Sequence, residues 1–182
     1  GLEASVHFLF ILSPHSVQSP YCADEVEYAA KLNKRIVTVR HRTVTGTDLH
    51  PELAKVQWID FQDQDADFAA SFQELIRTLD TDPEHLRFHT RLLLQALSWQ
   101  EKGRRESLLL RGDELTEAED WLLQSAGKQP SSTELQGSYI SASRTLLEAN
   151  RKAASKRQIM SVGLLAALQI AAVGLGGYIS IQ

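Results

Sequence analysis

A chain of 182 residues is long enough for one ordinary domain and an appendage. Hydrophobic residues make up 43% and charged residues 23%, which fits a folded protein with a sizeable core, and the net charge of −4 gives no bias toward nucleic acid. The single cysteine, Cys22, excludes an internal disulfide and suits a reducing cytosol. The first residue is Gly1 rather than Met, the mark of a processed, tagged or truncated start, and "GLEASVHFLFILSP" lacks the basic region and cleavage site of a secretory signal.

Strand and helix signals alternate over the first half. Ser5–Ser13 is a near-continuous apolar run, the pattern of a strand buried on both faces, and it stops at Ser13-Pro14. Ser19 followed by Pro20 reads as an N-cap and first helical residue, opening a helix to about Leu32 with Val26, Ala29, Ala30 and Leu32 at helical spacing. Arg35–His41 is a second, β-branched strand. A loop broken at Gly46 and Pro51 leads to a third strand, Lys55–Phe61, and to a helix, Asp65–Leu79, with Phe68, Phe72, Leu75, Ile76 and Leu79 on one face. This order predicts an α/β fold with a parallel sheet of only three strands. Such a sheet leaves a long apolar edge uncovered, so further βα units are expected from a longer chain or a partner.

Asp80–His85 reads as a boundary, with Asp82 capping and Pro83 starting a helix to about Glu101. A helix over Leu115–Ala126 ends at Gly127, and Ser131 with Glu134 reads as a capping box for a last helix. The segment Gln158–Gln182 has no charged residue. As a helix, Ile159–Ile181 would be about 34 Å long, against a hydrocarbon core of about 30 Å, so it reads as a transmembrane helix. Arg144, Arg151, Lys152, Lys156 and Arg157 precede it, opposed by Glu148 alone, which places the N-terminal part in the cytoplasm by the positive-inside rule. Small residues recur every four positions at Gly163, Ala167 and Ala171, a spacing compatible with helix self-association and equally with ordinary membrane-helix composition. The expected organisation is therefore an α/β domain over 1–80, a helical connector over 81–157, and a single membrane span over 158–182.

Candidates for chemistry are few. His85 and His89 lie one helical turn apart, but no third ligand stands at metalloprotease spacing, so they read as solvated helix-start histidines and no metal is expected. Cys22 reads as a packed cysteine, and Arg40, His41 and Arg42 as surface charge with a phosphate contact as the other reading. Asp24, Glu25 and Glu27 read as first-turn charges favouring the helix dipole. They also stand where α/β folds bind ligands, beside the carboxyl end of a parallel strand, where a carboxylate can stabilise an oxocarbenium-like state. Asp60, near the end of the third strand, raises a response-regulator reading, but the acidic pair such a phosphoacceptor requires is not evident.

The stretch from Phe8 to Val39 resembles the central part of a TIR (Toll/interleukin-1 receptor) domain. The match is carried by Ser13-Pro14-His15-Ser16, then Ser19-Pro20-Tyr21-Cys22-Ala23-Asp24-Glu25, then Ile36-Val37-Thr38-Val39, with Tyr21 in place of the usual Trp and Thr38 in place of the usual Pro. The resemblance covers about residues 5–79 and implies the last three strands of a flavodoxin-like five-stranded sheet. It implies Glu25 as the catalytic residue of NAD cleavage, NAD as substrate with no cofactor, and Ser13, Ser16, Tyr21 and Cys22 as substrate-binding. It also implies other TIR domains, or a second copy, as partners. A non-enzymatic adaptor, with Glu25 only a helix charge, is the alternative. Residues 84–144, with Leu-Leu-Arg-Gly at 109–112 and Ala-x-x-Trp-Leu at 118–122, resemble the connector that joins TIR or STAND-type modules to a membrane helix, often before a WD-repeat propeller, in bacterial immune and signalling proteins.

Overall fold

The computed structural model describes residues 1–44, 49–62 and 68–179, the stretch 162–179 as helix backbone only. Gly46 and the first residues of the helix expected from Asp65 lie outside the described residues. Strands β1 (His7–Leu12), β2 (Arg35–Arg40) and β3 (Trp58–Asp60) form a parallel sheet in the order β1-β2-β3. The third strand is shorter than the apolar run Lys55–Phe61 implies. It pairs only with Thr38, Val39 and Arg40, and the loop before it holds a one-turn helix, α3 (Pro51–Ala54), that the reading from sequence did not contain. His50 caps α3 by accepting the Glu52 amide on Nδ1, and the Trp58 indole N–H donates to the Leu53 carbonyl.

Register sorts the side chains. Phe8 pairs with Ile36, Phe10 with Thr38, and Thr38 in turn with Trp58, so these residues share one face. On that face Phe10 and Leu12 are buried with Val26 of α2 (Pro20–Lys31) and Leu53 of α3. The other face carries His7, Leu9 and Ile11 on β1 and meets α4 (Phe68–Leu79), which is tied to β3 by the Ser71 hydroxyl donating to the Asp60 carbonyl. Here the apolar surface stays open. Leu9 and Ile11 are 45% and 55% exposed, α4 buries none of its residues, and Phe68, Phe72 and Ile76 remain exposed. The uncovered edge expected from the strand count is thus a real property of the described sheet.

Beyond Thr81 the chain is helical: α5 (Pro83–Glu101), α6 (Asp113–Gln124) and α7 (Glu134–Ile179). Leu92, Ala96, Trp99, Leu115, Ala118, Trp121, Tyr139 and Ile140 are buried together in a second core. Its polar groups are satisfied by specific partners. Tyr139 Oη donates to the Leu108 carbonyl at 2.6 Å, and Ser143 Oγ accepts from the Leu110 amide.

Three sequence expectations change here. His85 and His89 are not solvated; they are 5% and 1% exposed. The Trp121 indole N–H donates to His85 Nδ1 at 3.0 Å, so Nε2 carries the proton and donates to the Pro130 carbonyl at 2.8 Å. Asp82 precedes α5, but its left-handed backbone (φ 53°) leaves it without a capping bond; its carboxylate takes Lys128 at 2.8 Å instead. The capping box of α7 is Thr133 with Gln136, not Ser131 with Glu134: Gln136 N donates to Thr133 Oγ1 and Thr133 N to Gln136 Oε1. Ser131 is engaged elsewhere, accepting from Asn33 Nδ2 on both its carbonyl and its hydroxyl.

That last contact belongs to the seam between the two parts. Asn33, at φ 50°, turns the chain out of α2, and the next residue, Lys34, is 5% exposed. Its Nζ donates to the Glu3 carbonyl at 2.8 Å and to Thr90 Oγ1 at 3.3 Å, and burial pulls its pKa down to about 8. Arg35 adds a bond to the Thr81 carbonyl. Among the described residues no helix is long and apolar enough to cross a membrane. The apolar segment 158–182 lies, from residue 162 onward, outside the residues whose side chains are described. Arg144, counted above with the basic flank, pairs with Glu119 of α6.

His89 supplies a pH test. Burial, with Lys34 and His85 nearby, lowers its pKa to about 4, and its Nε2 has no partner among the described residues. The unfolded chain therefore binds a proton near pH 6.5 that the folded chain refuses until about pH 4. Stability against urea is expected to fall as pH drops from 6.5 to 4, and the fall should be smaller in His89→Leu; parallel unfolding curves at the two pH values measure it.

Candidate functional site

The junction between β1 and α2 is built from two helix caps in series. Ser13 caps α1 (Pro14–Gln18): its Oγ accepts the Ser16 amide at 3.2 Å, while Ser16 Oγ accepts the Ser13 amide at 2.9 Å. Ser16 Oγ also donates to the Ile11 carbonyl at 2.7 Å, closing the end of the strand. Ser19 then caps α2, accepting from the Cys22 amide at 3.4 Å, with Pro20 at the first helical position. All three serines thus have local backbone work. The sequence motif foresaw the Ser19 cap, whereas α1 appeared only as a Ser-rich turn.

The sequence-derived site residues separate into two groups. Ser13 and Ser16 lie in the α1 cap, and Cys22 is a free thiol packed against the Phe10, Leu12, Val26 and Leu53 core. Tyr21 and Glu25 point away from that core; Tyr21 is 81% exposed and Glu25 is exposed. Because α2 begins at Pro20, its first turn holds no acidic residue, and Asp24, Glu25 and Glu27 sit in later turns. A dipole contribution fades beyond the first turn, so it does not account for this carboxylate cluster.

The Glu25 side chain makes no hydrogen bond or ion pair among the described residues. Helical spacing puts it on one flank of α2 with Tyr21 four residues before and Tyr28 three residues after. Tyr28 Oη donates to Glu3 Oε1 at 2.7 Å, so this flank looks toward the start of β1. That bond raises the Tyr28 pKa and lowers that of Glu3. The Glu3–Tyr28 pair was invisible to motif reading, since neither residue lies in a recognisable pattern and 25 positions separate them.

The basic cluster after β2 also divides. Arg40 pairs with Asp60 and lies over the Trp58 ring at 5.7 Å from its centroid. Asp60 accepts the Gln62 amide as well, and these bonds hold its carboxyl below the usual range. The strand-end aspartate is thus an ion-pair partner, which accounts for its place without a phosphoacceptor role. The His41 and Arg42 amides both donate to the Leu12 carbonyl, and their side chains are exposed. Among the described residues, no group of three or more metal-ligating side chains converges.

Residues 1–76 match the family model of the TIR domain. The match covers the parallel sheet and its helices and ends within α4; the helices beyond it lie outside the match. Searches of the curated proteins and of the solved structures returned no significant match. The TIR region therefore carries the Ser-Pro-x-Ser turn, the Ser19–Glu25 stretch and the open edge of β1 on one piece of the molecule.

The two caps differ in depth. Ser16→Ala removes the acceptor of the Ser13 amide and the tie to Ile11, and should cost about 1–2 kcal/mol in urea unfolding. Ser19→Ala removes one long bond and should cost less.

Proposed function

We propose that the chain is a TIR-domain signalling or immune-effector protein that associates with other TIR domains, is held at a membrane by segment 158–182, and cleaves NAD through Glu25 when assembled. The observation that carries the signalling reading is the TIR-domain match over residues 1–76. Association is favoured by the exposed Leu9 and Ile11 beside the unpaired edge of β1 and by the exposed Phe68, Phe72 and Ile76 of α4.

For chemistry, Glu25 offers an unengaged carboxylate on the flank of Tyr21 and Tyr28. Placed against the nicotinamide-side ribose, it would stabilise the cation that forms as the glycosidic bond breaks and its electron pair leaves with nicotinamide. Water then adds to the ribose carbon and releases a proton, giving ADP-ribose. Ser13 and Ser16, already bonded to backbone, would act on substrate by fixing the turn beside it, with Tyr21 and Cys22 bordering it. The positive flank Arg151, Lys152, Lys156 and Arg157 orients the TIR region to the cytoplasmic side.

The adaptor reading, with no chemistry, is favoured by one observation: Glu25 is exposed rather than enclosed. Nicotinamide release by wild type and by Glu25→Ala separates the two. A catalytic carboxylate predicts a loss of at least about 100-fold. Equal rates, including equal zero, leave the adaptor reading. In the same preparations Leu9→Lys with Phe72→Glu should shift sedimentation toward monomer.

A further inference from the structure

A cleft lies in the helical part, away from the TIR region. It has a volume of about 810 Å³ and runs between the loop after α5 and the exposed side of α7. That volume is within the range of small-molecule sites. Trp99, Leu109, Ala142 and Leu146 supply its apolar lining.

Three features there bear on what the cleft could hold. The protein has three tryptophans, and two of them place their indole N–H on an acceptor: Trp58 on the Leu53 carbonyl and Trp121 on His85. Trp99 is 4% exposed, yet its indole N–H meets no acceptor among the described residues. A buried donor left unmet is a standing cost that folded proteins rarely carry. Second, α5 ends in a Schellman cap, with the Gly103 amide donating to Gln100 and the Arg104 amide to Trp99, and Arg104 follows Gly103 in a left-handed backbone (φ 56°). It sets the guanidinium over the Trp99 ring, 5.2 Å from the centroid. Third, that guanidinium has no carboxylate partner among the described residues. Facing it, α7 presents the hydroxyls of Ser138, Ser141 and Thr145 rather than larger side chains.

We propose that this cavity binds a small organic anion with a flat apolar body. The body would lie between Trp99, Leu109 and Leu146, and the anionic group would accept from Arg104 and from the unmet Trp99 N–H. Arg104 and Glu106 are the charged residues among its lining, of opposite sign. Sign therefore gives a built-in control. Removing the Arg104 charge weakens an anion, and removing the Glu106 charge tightens it.

The probe is 2-naphthoate, with neutral 2-naphthamide as its uncharged counterpart, titrated into the full ¹⁵N-labelled chain. The three indole N–H resonances are read out, and Trp99→Phe assigns the one belonging to Trp99. The proposal expects the Trp99 proton alone to move downfield and saturate with naphthoate. Naphthamide should bind at least about tenfold more weakly. Arg104→Gln should bring naphthoate down to the amide's affinity, and Glu106→Gln should raise it. Both substitutions are at exposed positions, so they test the site even if Trp99→Phe does not fold. No saturating shift at millimolar naphthoate, equal affinity for the two probes, or indifference to Arg104→Gln would overturn it.

Discussion

One buried ammonium ties the two parts of this molecule together. Lys34 leaves the end of α2, passes between the turn before β1 and the first half of α5, and spends its protons on Glu3 and Thr90. Desolvating an ammonium without a carboxylate is unfavourable, which is why its pKa falls to about 8. The arrangement persists because neighbours fix the same geometry: Asn33 reaches Ser131, and Arg35 reaches Thr81. Three consecutive side chains on a single turn thus dock the parallel sheet onto α5 and the start of α7. The position of α2, and with it Glu25, follows from that docking.

The second core is organised around Trp121. Its ring stacks on Phe88 and on His85, and its N–H fixes the His85 tautomer. Both histidines therefore belong to a packed seam, and for His89 burial, with Lys34 nearby, disfavours the charged form. Polarity in this interior is spent on specificity: Gln136, fully buried, donates to the His89 carbonyl while its oxygen completes the cap of α7.

Local signals were legible where local physics decides. The strand within Ser5–Ser13, the Ser19-Pro20 helix start, the Pro83 start of α5 and the thin parallel sheet all follow from apolar period, cap chemistry and strand count, but the expectation that this strand is buried on both faces fails, since Leu9 and Ile11 are exposed where no further layer covers them. The errors have a common origin in partners distant along the chain. His85 and His89 look solvated because an i, i+4 polar pair at a helix start usually is; the indole that buries them comes from 36 residues away. Ser131 with Glu134 satisfies the spacing of a capping box, but Ser131 is held by Asn33, 98 residues earlier, and the cap moves to Thr133. At the candidate site the three serines were visible, and the helix they start pushes the acidic cluster past the first turn. What motif spacing could not disclose is that the Glu25 side chain has no partner among the described residues, on the helix flank shared with Tyr28.

The long helix α7 has a mechanical meaning. Its first turns are packed, yet every residue from Glu148 to Ser161 is exposed. The docked base has already met the nucleation cost, so helix propagates outward without further tertiary support. Fourteen residues at 1.5 Å each make an arm of about 21 Å standing off the body. The helix is therefore an arm rooted in the second core through Tyr139, Ile140 and Ser143, so the packing of α5 and α6 against its base sets its direction.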